Sequence, residues 1–222
     1  MGSIAHFFVA GGWVMYPLLL LSLTAIAVII DRALAYKQQA FLAPGLLERV
    51  IRYCDEGRFA EAEKECSQFP GPVAACLGTV LKHRQLPVED MERHVQEVGE
   101  GYSIQLERFL PVLDTTTTIS PLLGLLGTLF GMIGTFRAIS ASQNQGANDS
   151  ILSGVGTALY ATATGLSIAV VCFCAYNYFA ARQRMAMGEA EQAATKLINA
   201  LRRYELAATA AGARPLSEAA RA

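Results

Sequence analysis

Threonine hydroxyls lie within two long uncharged stretches of the sequence, where they are the side chains best suited to polar contacts. Thr128 lies in the stretch 115–136, and Thr157 and Thr162 lie in the stretch 151–181. Inside a membrane a hydroxyl can bond to its own helix, bond to a neighbouring helix, or line a narrow polar path. Spacing alone favours bonds back to helix carbonyls, and the polar path stays open as the alternative.

Small residues recur at helical spacing beside these hydroxyls. In the first of the two stretches they share one face at spacings of four and three: Thr117, Pro121, Gly124, Thr128, Gly131 and Thr135, with Gly127 nearby. The second stretch repeats the pattern at Gly154, Ala158, Thr162, Gly165 and Ala169. Small residues let helix backbones approach closely, so the two faces are expected to pack together or to line a path jointly. Pro121 removes one backbone hydrogen bond and is expected to bend its helix.

Carboxylates are missing from the middle of both stretches. Asp31 and Asp114 fall at one boundary of the apolar segments and Asp149 at the other. An ion path through a membrane usually requires an ionisable group inside it. Any carrier of protons or sodium must therefore be supplied by another polypeptide. The adjacent Asp31 and Arg32 are predicted to form an interfacial ion pair.

Three uncharged segments, 7–30, 115–136 and 151–181, are long enough to cross a membrane. Each exceeds the roughly 20 residues that span a hydrocarbon core of about 30 Å. No basic residue precedes Arg32, so the first segment lacks the charged start of a signal peptide and is predicted to be retained. The sequence predicts an all-α integral membrane protein with three transmembrane helices.

Basic residues beside the spans predict the orientation. Arg32, Lys37, Arg108 and Arg182 flank one side and Arg137 the other, so the N-terminus is expected outside, in the periplasm. The predicted organisation is a periplasmic N-terminus with the first helix (1–35), a cytoplasmic helical domain (36–108), the second helix (109–140), a periplasmic loop (141–150), the third helix (151–181), and a cytoplasmic helix and tail (182–222).

Glycine and proline divide the predicted cytoplasmic domain into short helices. The expected helices are 46–54, 59–69, 73–82 and a fourth that begins at Pro87 and runs through Glu107 into the membrane. After the third span, an amphipathic helix is expected to continue to about 208, followed by a disordered tail. A domain of about 70 residues in short helices has a small hydrophobic core, so it is expected to be stabilised by contacts with neighbouring subunits.

Several classes of function find no support in the residues. The net charge of −1 without a basic stripe argues against nucleic-acid binding. The five cysteines follow no metal-binding pattern and are interpreted as small apolar fillers. Motifs of enzyme active sites are absent, so neither an enzyme nor a bound metal or cofactor is predicted.

The sequences of two segments resemble those of a known protein family. Residues 120–132 (SPLLGLLGTLFGM) and 154–166 (GVGTALYATATGL), with Ala175-Tyr176-Asn177, are similar to the ExbB/TolQ/MotA proton-channel proteins. The resemblance covers most of the chain. The three spans and the long first polar segment resemble ExbB and TolQ more than MotA, which has four spans.

The resemblance implies a homopentamer in the bacterial inner membrane, with the second and third helices around a central pore. Two single-span partners of the ExbD/TolR type, each with a membrane aspartate, would occupy that pore. Thr128 and Thr162 fall on the family's pore threonines. The implied function is a proton-driven motor that powers TonB- or Tol-type energy transfer to the outer membrane, with a TonB/TolA-type protein as a further partner.

Thr157 departs from the family pattern. ExbB and TolQ commonly carry a glutamate five residues before the second pore threonine, and here that position is Thr157. A specialised motor for gliding or export, a change of ion to sodium, and a non-conducting scaffold therefore remain as alternatives. The scaffold predicts that Thr128→Val leaves function intact, whereas the motor predicts strong loss with assembly preserved.

Overall fold

The computed structural model describes residues 12–38, 45–141 and 147–210. Within those ranges the chain folds into helices without a strand. The helices are α1 Met15–Gln38, α2 Leu46–Asp55, α3 Phe59–Gln68, α4 Pro72–Lys82, α5 Val88–Glu107, α6 Leu110–Ala141 and α7 Ala147–Ala210. The chain divides into two compact units, here named the membrane unit (residues 1–32 and 109–179) and the polar unit (residues 33–108 and 180–222).

Three of the described helices are long and apolar enough to cross a membrane. They cover Met15–Lys37, Leu110–Arg137 and Gly154–Ala207. The predicted all-α fold with three transmembrane helices is confirmed. At 64 residues, α7 is far longer than the roughly 20 residues of one crossing, because the amphipathic segment after the third span continues the same helix.

Helix ends around the predicted outer loop differ from the expected bounds. α6 extends to Ala141, and α7 begins at Ala147 rather than at residue 151. Asp149 falls in the first turn of α7. α1 begins at Met15, while residues 1–11 and the predicted disordered tail from 211 lie outside the described residues.

The expectation that the fourth polar helix runs on into the membrane is wrong. α5 ends at Glu107, and α6 begins at Leu110 after Phe109 adopts a positive φ of 67°. Pro111 explains the break, because it lacks the N–H that would bond to the Glu107 carbonyl and its ring would clash with that carbonyl. Within the membrane unit, the guanidinium of Arg32 lies over the Phe109 ring at 5.6 Å.

The left-handed conformation at Phe109 gives a test that separates backbone from side chain. Phe109→Ala and Phe109→Gly both remove the ring under Arg32, but only glycine adopts this φ without steric strain. We expect the glycine variant to be more stable than the alanine variant by about 1 kcal/mol. Thermal unfolding of both in detergent measures the difference. Equal stability would contradict the assignment of strain to the Phe109 backbone.

In the polar unit, α2 to α5 pack around the second half of α7 to form one apolar core. Its fully buried residues include Val50, Leu77, Val80, Leu81 and Leu197. The acidic first turn of α5, with Glu89 and Asp90, suits its helix dipole. The helix bounds predicted from glycine and proline agree with these elements to within one residue.

Three cysteines belong to this core, as the apolar-filler interpretation requires. Cys54, Cys66 and Cys76 are buried, and burial raises their thiol pKa values to about 11, about 12 and about 11. Cys172 is also buried in the membrane unit. Cys174 differs from the expectation because its side chain is exposed rather than packed.

Alkylation kinetics test the buried state of these thiols. A raised pKa leaves less thiolate at any pH below it, and only the thiolate reacts with iodoacetamide. A rise from 9.0 to about 11 lowers the thiolate fraction of Cys76 at pH 8 about a hundredfold. We expect labelling of Cys76 to be slower by at least that factor in the native protein than in dodecyl sulfate, followed by peptide mass spectrometry. Similar rates in both states would contradict a buried thiol.

Candidate functional site

Helices α6 and α7 meet in the membrane unit at positions that only glycine can occupy. A Cβ added to Gly124 would lie 3.0 Å from the Thr162 Cα and 3.1 Å from the Ala161 carbonyl oxygen. A Cβ added to Gly127 would lie 2.5 Å from the Ala161 Cβ. The approach at Gly127 is closer than real Cβ atoms come, and the approach at Gly124 is tighter than nearly all real Cβ contacts and is made to backbone atoms, so these glycines set the separation of the two helices.

Gly165 makes the closest backbone approach from the side of α7. A Cβ there would collide with the Ser120 carbonyl oxygen and would lie 3.2 Å from the Gly124 Cα. Both neighbours are backbone atoms of α6, which cannot move aside as a flexible side chain can. Gly165 therefore fixes the contact at the level of Ser120 and Gly124.

The contact continues one to two turns further along both helices. A Cβ on Gly131 would lie 3.0 Å from the Ala158 Cβ, and one on Gly154 would collide with the Thr135 hydroxyl. Thr135 is buried, and its hydroxyl bonds to the Gly131 carbonyl at 2.9 Å. The structure thus places Gly131 and Gly154 at this contact together with Gly124, Gly127 and Gly165.

Of the threonines proposed for the ion path, Thr162 bonds to the other helix, whereas Thr128 bonds to its own. Thr162 of α7 donates its hydroxyl to the Gly124 carbonyl oxygen of α6 at 3.0 Å. In an α-helix that carbonyl also accepts the N–H of Thr128, four residues later. The Thr128 hydroxyl donates to the Leu125 carbonyl of its own helix at 2.6 Å. The Thr162 hydroxyl and the Thr128 backbone N–H therefore share the Gly124 carbonyl, while the Thr128 hydroxyl faces its own helix.

Two further residues proposed from the sequence, Pro121 and Thr157, lie elsewhere along α6 and α7. Pro121 lies inside α6, which continues as one helix to Ala141. Thr157 lies in α7, but its side chain is outside the described part of the chain. The ion-path roles of Thr128, Thr162 and Thr157 stay predictions.

Most other described threonines of the spans bond back to their own helix. The hydroxyls of Thr115 to Thr118 donate to the carbonyls of residues 111 to 114, four positions earlier, at 2.7 to 3.3 Å. Thr164 does the same to Tyr160 at 2.8 Å. The bond back to a helix carbonyl is confirmed for these residues. Thr162 is different because its acceptor belongs to another helix.

Ser120 is a polar residue at the contact that sequence reasoning did not select. Its side chain is fully buried, and its hydroxyl has no hydrogen-bond partner among the described residues. An unpaired buried hydroxyl is unfavourable by roughly 1–3 kcal/mol. The sequence did indicate that Ser120 could belong to the helix contact, because it lies four residues before Gly124 and therefore on the same face of α6. The Ser120 backbone carbonyl is the group that lies beside Gly165, so this buried residue belongs to the contact.

Adjacent charged residues at one end of the first span form an ion pair. Arg32 is buried and pairs with Asp31 at 2.7 Å, so the predicted ion pair is confirmed. Among the described residues, no group of three or more His, Cys, Asp or Glu side chains is arranged to hold a metal ion. The stretch between Asp114 and Arg137 carries no ionisable residue, as the sequence indicated.

The three long apolar helices define a multi-pass membrane protein. Two of these helices, α6 and α7, are in close contact through glycines. Residues 71–192 match the MotA/TolQ/ExbB proton channel family. Because this match covers more than half of the chain, the protein belongs to that family. The matched region includes both helices of the glycine contact.

Individual relatives agree with this assignment. The chain is 30% identical over 171 residues to the putative biopolymer transport protein ExbB-like 3 of Synechocystis sp., which covers 77% of this chain and 81% of the relative. It is 40% identical over 112 residues to the Tol-Pal system protein TolQ of Pseudomonas aeruginosa, covering 47% of this chain and 48% of TolQ. The biopolymer transport protein ExbB of Xanthomonas campestris is 32% identical over 91 residues, or 41% of this chain and 36% of the relative.

Proposed function

We propose that this chain is the pentameric subunit of a proton-driven motor in the bacterial inner membrane. The observation that supports this function is the bond of Thr162 to the Gly124 carbonyl, one helical turn from Thr128, in a span without any ionisable residue. A proton-channel subunit of this composition needs a titratable group from a partner. An ExbD/TolR-type single-span protein with a membrane aspartate would supply that group.

The site residues then have distinct roles. Thr128 and Thr162 offer hydroxyl groups beside the partner's aspartate, while Thr157 is a neutral substitute for the glutamate common in ExbB and TolQ. Gly124, Gly127, Gly131, Gly154 and Gly165 hold the two helices together behind these hydroxyls. The transported ion is a proton, and the chain requires no cofactor of its own.

The relatives suggest which process the motor serves. Two of them are named for biopolymer transport and one for the Tol-Pal system. We infer that the motor transfers energy to the outer membrane through a TonB- or TolA-type protein. A gliding or export motor of the same family is the alternative within this class, since Thr157 departs from the ExbB and TolQ pattern.

Ion flux into proteoliposomes tests this function. The full chain is reconstituted with and without its single-span partner, under an imposed proton gradient and then a sodium gradient. Flux that needs the partner and disappears when the partner's aspartate is replaced by asparagine supports the motor and identifies the ion. An assembled complex that conducts neither ion, with its load-bearing partner also present, would contradict it.

A non-conducting scaffold is the second candidate, and one observation favours it. Both threonine hydroxyls already have backbone acceptors, at 3.0 Å for Thr162 and 2.6 Å for Thr128, so structure alone accounts for them. A scaffold would cluster partners without moving ions. It predicts normal function for a variant that keeps the shape of Thr128 but loses its hydroxyl.

A further inference from the structure

A cavity of about 410 Å³ opens in the polar unit between α5 and the later part of α7, with α4 behind it. We call it the acidic groove. Its floor is apolar and buried, formed by Cys76, Val95, Ala194 and Ile198. Its volume is within the range of about 300–1,000 Å³ that is common for binding sites.

Polar side chains form the two walls in register with the helices. Glu92, Gln96 and Glu100 follow one another at spacings of four along α5, and Glu191 and Thr195 do so along α7. Positions four apart lie on one face of a helix, so each wall is a continuous row. Gly99 lies between Val95 and Ser103 on this face of α5, and a Cβ added to it would make an ordinary contact with the Met187 methyl group at 3.4 Å.

The charge of the groove is one-sided and uncompensated. Its three carboxylates, Glu92, Glu100 and Glu191, form no salt bridge with any Lys or Arg of the described chain, and no basic residue lines the groove. Glu100 accepts only the amide of Gln96, at 3.0 Å. By contrast, Glu97 on another face of α5 pairs with Arg93.

The balance of charge in the polar unit indicates what kind of occupant fits. This unit carries 16 acidic and 16 basic residues, so the groove is a local concentration of negative charge on a neutral body. A second copy of the chain therefore brings no net positive charge to it. A basic segment complements three clustered carboxylates, and an apolar side chain complements the buried floor.

We propose that the acidic groove binds a short basic segment of a partner protein, with one apolar side chain on the floor and Lys or Arg beside Glu92, Glu100 and Glu191. The wall from Glu92 to Glu100 spans eight residues of helix, or about 12 Å. That length matches about four residues of extended peptide. The groove thus selects a tetrapeptide-sized element on the side of the membrane where the polar unit lies.

Fluorescence anisotropy on the full chain in phosphatidylcholine nanodiscs tests this binding. The probe is a fluorescein-labelled Gly/Ser peptide with four lysines and a central leucine. Two comparison peptides replace its lysines by glutamates or its leucine by glycine. We expect saturable binding of the first peptide only, at least about tenfold tighter than either comparison, and weakened by salt because the carboxylates are exposed to solvent. Equal binding of the three peptides would overturn the proposal.

Matched variants separate the groove from the bulk charge. The triple variant Glu92→Gln, Glu100→Gln and Glu191→Gln is expected to lower the affinity at least about tenfold, or 1.4 kcal/mol. The control triple variant Glu48→Gln, Glu97→Gln and Glu189→Gln removes the same charge from exposed positions outside the groove and is expected to change it less than about twofold. Equal losses in both triples would contradict a specific site.

A third variant tests the occupant. Thr195→Arg places a cation in the groove at an exposed position and is expected to abolish peptide binding while leaving the oligomeric mass unchanged. A change in mass with this variant, measured by mass photometry in nanodiscs, would show that a second copy covers the groove and would overturn the proposal. These measurements involve no ion flux, so their outcome is independent of the proposed motor function.

Discussion

Gly165→Ala is expected to disrupt the pairing of α6 with α7 and to abolish ion flux, although it adds a single methyl group. The added Cβ collides with the Ser120 carbonyl oxygen and lies 3.2 Å from the Gly124 Cα, so the helices must separate. Overpacking of this kind usually lowers stability by about 1–3 kcal/mol, and the rigid backbone neighbours place this site at the upper end. Thermal unfolding in detergent and flux in proteoliposomes measure the two effects.

Gly156→Ala is the matched control on the same helix. No atom lies within 4 Å of a Cβ added there, so the described chain offers no clash. Alanine is also the better helix former by about 1 kcal/mol, a gain common to both variants. We therefore expect Gly156→Ala to be at least as stable as the wild type. Equal unfolding temperatures for the two variants would contradict the role of Gly165 in setting the helix separation.

A second consequence follows for the threonine pair. The hydrogen bond from the Thr162 hydroxyl to the Gly124 carbonyl oxygen is 3.0 Å long, which is near the upper end of the normal range. A small separation of α6 from α7 would therefore lengthen it beyond hydrogen-bond distance. Gly165→Ala is therefore expected to perturb the site without touching either hydroxyl. This dependence explains why a glycine without chemistry of its own belongs to the candidate site.

Sequence reasoning was most successful where local signals are strong. The helices of the polar unit begin and end beside glycine and proline, and these residues act within a few positions. The three spans follow from composition over about 20 residues. The break at Phe109 was missed although Pro111 is visible, because the apolar run on one side and the helical pattern on the other favoured a single helix.

The sequence could not predict which carbonyl oxygen accepts the hydrogen bond of each threonine hydroxyl. Thr128, Thr162 and Thr164 have the same chemistry and lie in similar surroundings of small and apolar residues. Their acceptors differ because the rotation of α6 against α7 decides which hydroxyl reaches another helix. The acidic groove was hidden for the same reason. Its walls come from Glu92 and Glu191, far apart in the chain, and only tertiary packing brings them together.

Thr128→Val is expected to abolish ion flux while leaving stability and assembly unchanged, and this combination identifies a functional hydroxyl. Valine keeps the shape of threonine. The lost hydroxyl bonds only to the Leu125 carbonyl of its own helix, and that carbonyl keeps its helical N–H donor. We expect a change in stability below about 0.5 kcal/mol, as for substitutions that remove no buried contact.

Thr164→Val is the matched control for this loss of flux. Its hydroxyl bonds back to Tyr160 in the same manner as Thr128 bonds to Leu125, so it tests removal of a self-bonded hydroxyl from a span. We expect Thr164→Val to conduct like the wild type. If Thr128→Val also conducts normally, the proposed role of its hydroxyl in the ion path is contradicted, and the hydroxyl serves its own helix alone.

Thr162→Val completes the comparison, because its hydroxyl has both a structural and a proposed functional role. Loss of the bond to Gly124 is expected to weaken the α6–α7 contact by about 0.6 kcal/mol, the usual value for a bond between membrane helices. So small a loss leaves the complex assembled and cannot by itself stop conduction. Abolished flux in Thr128→Val and Thr162→Val, with assembled complexes in both, would therefore require the two hydroxyls to act on the ion path itself.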